Sequence, residues 1–331
     1  MISALRDVRI FASLSALLLA GVVSGVSGSA SAQPYPSKPI TIITGYAAGA
    51  ASDTLARTLA DALQTQWGQP VVVENRPGSG SNIAAAYVAR AAADGYTLMV
   101  ATDATLTSNS FLYKAMPFDP VKDFTPVLNA AANIIVLAVH PEQPVKTVSE
   151  FLALAKNNPG KISFGSSGAG SPHHLAGELM MQMADVKLVH VPYKGGGATI
   201  NDLLGGHIPA AFLSLSAAKT LHDSGKIRII GVADKNRYAE LPDVPTIAET
   251  LPGFEMSSWV ALVAPAGTPP SIVQQVSEAS AKILKGEAIT KKLGGVGLVV
   301  TANPPAELAS TIKTGLDVRG KLIKASGIQP E

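Results

Sequence analysis

Short β-branched runs alternate with stretches whose apolar residues recur every three or four positions, and the alternation holds over most of the chain. PITIIT (39–44) reads as a buried strand. In the following SDTLARTLADALQTQW, Leu55, Leu59, Leu63 and Trp67 fall four apart, on one face of a helix. PVVVEN (70–75) is a second strand, SNIAAAYVARAAA a second helix, and YTLMVAT (96–102) a third strand. This β-α-β-α-β order predicts a parallel sheet covered by helices. A second set begins near residue 160. KISFGSS, KLVHVPY, IPAAFLS and IRIIGVA are strand-like, whereas SPHHLAGELMMQM, GATINDLLGG and SAAKTLHDSG are helical.

Two apolar, extended stretches that end in proline, NIIVLAVHP (133–141) and SSWVALVAP (257–265), lie between these sets and after them. If the chain crosses between domains at both, the helical SIVQQVSEASAKIL returns to the first. Two crossovers between two α/β lobes make a hinge and a cleft. Pattern alone leaves open two α/β domains in series. A chain of 331 residues, about 300 of them beyond its first thirty-odd, suits two domains better than one core.

The first residues follow a different pattern. Arg6 and Arg9 precede an apolar stretch at 10–23, and a small-residue tail ends in Ala30, Ser31 and Ala32 before Gln33. This is the three-part pattern of a secretory signal peptide, cleaved after Ala32. The apolar stretch falls short of the ~20 residues a spanning helix needs. There is no cysteine, so disulfides, thiolate ligands, a thiol nucleophile and cysteine lipidation are excluded. The 26 basic and 24 acidic side chains of the whole chain nearly balance, with or without the leader. That balance gives no electrostatic case for nucleic acid or an anionic membrane surface.

The chemistry-bearing residues concentrate in strand-to-helix turns. In GSSGAGSPHHLAGE (165–178), Ser171 occupies an N-cap position and Pro172 the first helical turn. The glycines ahead of them let the backbone turn its N–H groups inward, where a helix N-terminus favours an anion. A plain capped turn explains the same residues. A nucleophile elbow requires a glycine where Ala169 stands, and a P-loop requires a lysine where Gly170 stands. A dinucleotide fingerprint requires a small residue at His173. The adjacent His173 and His174 diverge on a helix, and the other histidines show no ligand spacing, which argues against zinc. A ring N–H of His174 buttressing the loop is the expected arrangement. TGYAAGAASD (44–53), NRPGSGSN (75–82) and YKGGGAT (193–199) repeat the device. In an open α/β sheet such turns lie at the carboxyl ends of strands, where ligands bind. Arg57, Arg76, Arg90, Arg228, Arg237 and Arg319 read mostly as helix surface or strand flanks. The expected grip on a carboxylate is therefore by N–H groups, hydroxyls and water rather than a guanidinium clamp.

PSKPITIITGYAAGAASDTLAR, VVENRPGSGSNIAAAYVARAAADGYTL, PFDPVKDFTPV, SSGAGSPHHLAGE, VHVPYKGGGATINDLLGG, GKIRIIGVA and LPDVPTIAETLPGFEMSSWVALVAPAGTPP resemble, in order, the Bug (Bordetella uptake gene) solute receptors of tripartite tricarboxylate transporters. The resemblance implies an α/β, two-lobed periplasmic binding protein of the type II, Venus-flytrap kind with two hinge crossovers. Residues 33–135 and 260–331 would form one lobe and 136–259 the other. It implies a monomeric receptor without cofactor or metal that captures a small carboxylate and delivers it to membrane permease subunits. Expected solutes are di- or tricarboxylates, acidic amino acids or aromatic carboxylates. Position by position, the family's ligand loops fall on Tyr46, Ala48, Gly49, Ala50 and Asp53, and on Thr102 and Asp103. In the second lobe they fall on Ser166, Ser167, Gly168, Ala169, Gly170, Ser171 and His174, and on Tyr193 and Gly195. Asp103 could receive an ammonium group or a ligand-bound water, or simply cap its strand end. Ala50 replaces a usual glycine, Ala47 and Ala48 stand where prolines are common, and Pro209 where an acidic residue is. An exported hydrolase using Ser, His and Asp of these loops, and a sensory receptor presenting solute to a signalling partner, are the competing readings.

Overall fold

The computed structural model describes residues 34–330, apart from Lys194, Ala239 and Ser257. The signal-peptide expectation falls on residues 1–32, outside the described residues. The elements below lie within Lys38–Glu331, which forms a single unit.

The opening β-α-β-α-β reading holds. Strand β1 (Ile40–Thr44) leads into α1 (Ala51–Trp67), β2 (Val71–Asn75), α2 (Asn82–Ala89) and β3 (Thr97–Thr102). β1 pairs in parallel with β2 on one side and β3 on the other. Leu55, Leu59 and Leu63 of α1 are fully buried, as their four-residue spacing requires. Two short helices, α3 (Asp103–Leu106) and α4 (Asn109–Leu112), then lead to β4 (Phe124–Asn133).

The chain changes sheets across one residue. β4 ends at Asn133 in the first sheet, and β5 (Ile135–Val139) begins the second. Along β5, Ile135, Leu137 and Val139 join the apolar cluster on one face, and Val136 and Ala138 the cluster on the other. This is the two-residue period of a strand covered on both sides. After α5 (Val148–Asn157) come β6 (Ser163–Ser166), α6 (Pro172–Ala184), β7 (Val189–Pro192), α7 (Gly196–Leu204), β8 (Ala210–Ser214), α8 (Leu215–Asp223) and β9 (Arg228–Val232). The second sheet has the order β7-β6-β8-β5-β9, parallel among β6, β7 and β8 and antiparallel where β5 meets β8 and β9.

The chain returns through β10 (Ser258–Pro265), which inserts antiparallel between β3 and β4. The two apolar stretches read as connectors thus contain the interior strands β5 and β10. All eight residues of β10 are buried, which explains a run without polar alternation. Helices α9 (Pro270–Leu284) and α10 (Glu287–Gly294), strand β11 (Leu298–Asn303) and the 21-residue α11 (Pro305–Ala325) complete the chain. The first sheet reads β11-β4-β10-β3-β1-β2. The architecture is two α/β lobes joined by two crossovers. α11 serves both lobes. Its Leu308 and Ile312 pack with Met99, Leu106 and Trp259 of the first, whereas Leu322 and Ile323 pack with Leu175 and Met180 of the second.

Candidate functional site

The first turn follows β1. Gly45 lies so close to Ser81 that any side chain there would collide with its hydroxyl, which packs the turns after β1 and β2 together. Ala50 stands at the N-cap of α1, a poor cap that offers no side-chain acceptor. Ala47 and Ala48 are exposed, and their N–H groups find no partner among the described residues. Ala50 is half-buried. Asp53 does not offer its carboxylate to solute. Oδ2 accepts the Gly49 N–H at 2.9 Å and Arg57 Nε at 3.0 Å, and Oδ1 accepts Asn75 Nδ2 at 2.8 Å. Burial alone would raise its pKa, but these three donors together hold it below the ordinary carboxylate value. Asn75 Nδ2 also reaches the Tyr46 carbonyl at 3.0 Å, so Asp53 and Asn75 shape the loop from behind. Asp53→Ala is expected to lower stability by about 2 kcal/mol, the scale of lost hydrogen bonds to a charged group. Scanning calorimetry checks it, and an unchanged Tm would remove the staple from the account.

Tyr46 lies in the same turn, with its hydroxyl 3.1 Å from Thr102 Oγ1, which is itself 3.0 Å from Thr105 Oγ1. Burial pushes the Tyr46 phenol above its usual pKa. Asp103, expected to face solute, is 1% exposed. Its Oδ2 pairs with Arg319 Nη2 at 2.6 Å, and its Oδ1 accepts Ser258 Oγ at 2.8 Å. The reason lies in α11. Arg319, which the sequence places on a helix surface, is buried at the contact between α11 and α3 and needs a counter-charge there.

In the second lobe Ser171 caps α6 as its position predicts. Its hydroxyl accepts the His174 N–H at 3.2 Å and donates to the Gly168 carbonyl at 2.7 Å, with Pro172 at the first helical position. The His174 ring acts in the reverse sense to that expected. Nδ1 accepts the Gly170 N–H at 2.9 Å, so the ring proton sits on Nε2 and is donated to Glu178 Oε1 at 3.2 Å. Burial would raise Glu178, but the His174 hydrogen bond brings its pKa below the usual value. The His190 ring stacks on His174 at 3.7 Å between centroids, and its Nε2 lies 2.6 Å from Ser166 Oγ. Ser166 Oγ also accepts the Gly168 N–H. Ser167 Oγ lies 2.7 Å from Nδ1 of the buried His173, whose Nε2 reaches Ser214 Oγ at 3.3 Å. The N–H groups of Gly168 and Gly170 are therefore occupied. Those of Ser167 and the exposed Ala169 find no partner among the described residues.

Tyr193 Oη donates to Asp202 at 2.7 Å, and burial, with Asp202 adding to it, pushes the phenol up to about 12. Gly195 begins α7 without a side-chain cap, while Thr199 Oγ1 ties that helix to the Ser166 carbonyl at 3.0 Å. The two Ser–His pairs do not form a nucleophile with its base. Ser166 has no exposed surface, His173 is buried, and among the described residues no carboxylate hydrogen-bonds the His173 or His190 imidazole. Among the described residues no three His, Asp or Glu side chains gather as a metal site.

The turns of the two lobes meet on α4. Asn109 Nδ2 donates to the Gly80 carbonyl at 2.9 Å and to Asn82 Oδ1 at 2.7 Å, holding the turn after β2. Leu112, one helical turn on, touches the second lobe, since a Cβ on Gly170 would stand 2.7 Å from its Cδ1. The strand-end turns at 45–50, 78–82, 102–105 and 165–171 thus form one connected group. Residues 55–328 match the tripartite tricarboxylate transporter family receptor. The chain belongs to that family. Members of this receptor family are periplasmic solute-binding proteins, not enzymes.

Among relatives of this TctC receptor is protein BugT of Bordetella pertussis, 31% identical over 306 residues, covering 92% of this chain and 94% of BugT. Rpa4515 of R. palustris, solved with adipate, is 34% identical with a TM-score of 0.77, covering 90% of this chain and 100% of its own. MatC (Rpa3494) of Rhodopseudomonas palustris, solved with bound malate, is 29% identical with a TM-score of 0.73, covering 87% and 100%. Sequence reasoning missed four groups that build the receptor's loops. Asn75 and Ser214 end strands β2 and β8 and were findable by the strand-end rule. His190 and Arg319 carry no local signal, because what they touch is distant in sequence.

Proposed function

We propose that this receptor captures a small linear dicarboxylate between its lobes in the periplasm and hands it to membrane permease subunits. The observation that carries the reading is two sets of unpaired amides, one in each lobe, on turns that α4 connects. Ala47 and Ala48 belong to one set, with the uncapped start of α1, and Ser167 and Ala169 to the other. Amide donors suit carboxylate oxygens, and two sets suit a solute with an anionic group at each end. Supporting the choice, two similar receptors hold adipate and malate, both dicarboxylates. Because such a solute touches both lobes, binding favours the closed arrangement. Shifting a mostly open population to mostly closed takes about 5.5 kcal/mol of differential affinity. The leader ending at Ala32 would deliver the chain to the periplasm as a monomer. Among the described residues no helix is long and apolar enough to cross a membrane.

The test uses residues 33–331 and calorimetric titration with adipate, malate, glucose and putrescine, followed by thermal melts. Adipate or malate is expected to bind one to one, be recovered unchanged, and raise Tm by about 5 °C at a hundredfold excess over Kd. Stabilisation by glucose or putrescine alone would overturn the carboxylate reading.

A further inference from the structure

The Asp103–Arg319 pair lies outside the solute-facing amides, yet it connects three parts of the molecule. Asp103 opens α3 directly after Thr102, the residue hydrogen-bonded to Tyr46 of the first ligand turn. Arg319 stands on α11 between the residues that serve the first lobe, Leu308 and Ile312, and those that serve the second, Leu322 and Ile323. Arg319 Nη1 also lies 3.4 Å from Met256 Sδ, on the segment that leads from β9 back to β10. The α11 face against α3 and α4 is built for close approach. A Cβ on Gly315 would stand 2.8 Å from Thr107 Cγ2, and one on Gly320 2.6 Å from the Phe111 ring.

A rod of 21 residues, about 31 Å long, that is docked at opposite ends to two lobes cannot ignore a change in the angle between them. Either one end slips or the helix bends near its middle. A groove of about 460 Å³ lined by Leu179, Met256, Trp259, Thr311, Gly315 and Arg319 lies beside it and draws its walls from both lobes. The helix therefore has room to move. What cannot adapt smoothly is the buried ion pair, because separating the charges leaves each uncompensated in the interior.

We propose that Arg319 is a positioning residue that ties the angle between the lobes, through Asp103, to the turn at 102–105. This rests on the proposed function only in taking that turn as part of the solute site. Movement of α11 is transmitted to the start of α3, and from there through Thr102 to Tyr46.

The chain has no cysteine, so Val72→Cys and Val189→Cys, both exposed and on edge strands of the two sheets, give a clean pair for nitroxide labels. Pulsed electron–electron resonance on the labelled protein without solute reads the inter-lobe distance distribution. Arg319→Lys keeps the charge and loses the second nitrogen that reaches Met256 Sδ while the first pairs with Asp103. It is expected to shift or broaden that distribution and to weaken adipate binding about 10-fold. A distribution identical to the parent's overturns the proposal, whatever the affinity does. Should Arg319→Lys fail to fold, the paired change Asp103→Asn with Arg319→Gln removes both charges and gives the same readout. If the parent binds no adipate, the dicarboxylate reading fails while the solute-free distribution still judges Arg319.

Discussion

Gly170→Val is expected to weaken adipate binding by about 100-fold or more, equivalent to about 2.7 kcal/mol. Three effects add. Gly170 has φ of 71°, and a β-branched residue in this region carries about 1–3 kcal/mol of strain. Any side chain there drives into Leu112, so α4 must yield or the lobes must part on the face where their turns meet. The altered backbone also pulls the Gly170 N–H from His174 Nδ1 and disturbs the neighbouring Ala169 amide. Because Gly170 is buried, some of this cost falls on folding, and Tm is expected to drop by several degrees. Gly170→Ala keeps the Leu112 contact smaller and should fall between the parent and Gly170→Val in both respects. Titration calorimetry with adipate, alongside melts, separates the two effects. Full affinity in a valine variant of lowered Tm would mean that the loop at 165–171 shapes the lobe but does not hold solute.

Much of this architecture is readable in the residues, and what is not has a consistent cause. α1 and the strands around it announce themselves through period, and Ser171 with Pro172 through local capping chemistry. Both signals live within a few residues of each other. β10 was harder to place because a strand buried on both faces loses its alternation, so WVALVAP looks like any apolar connector. The carboxylates show the limit most clearly. Asp53 and Asp103 both sit in turns that belong to the candidate site, and nothing in either turn distinguishes a carboxylate aimed at solute from one consumed by the scaffold. The distinction depends on Asn75, 22 residues from Asp53, and on Arg319, which arrives from the last helix. His174 makes the same point at shorter range. Its place behind the loop is legible, but whether its ring gives or takes a proton is decided by Glu178 and by the direction of the Gly170 N–H.

Acidification should destabilise the receptor through two of these rings. Burial lowers the pKa of His173 to about 4. Burial, with the stacked His174 ring adding to it, lowers His190 to about 4 as well. The ordinary value in an unfolded chain is near 6.5, so between about pH 6.5 and 4 the unfolded state binds more protons than the folded state. Stability therefore falls as pH drops through that window, is unaffected by these groups above it, and loses nothing more from them below it. At pH 5 each ring accounts for about 2 kcal/mol, since each pKa unit is worth about 1.4 kcal/mol. Together they should lower Tm by about 7 °C between pH 7 and pH 5. Glu178 adds little at pH 5, because its depressed pKa costs stability only as pH falls through its folded value, below the ordinary 4.5. Scanning calorimetry at the two pH values checks the drop, and His173→Gln should remove about half of it. A Tm that does not change across the window would mean that neither ring is kept neutral by the fold. In the folded receptor both rings stay neutral until the pH approaches about 4, so the contacts of His190 with Ser166 and of His173 with Ser167 hold across the window, and the loss comes from the unfolded state alone.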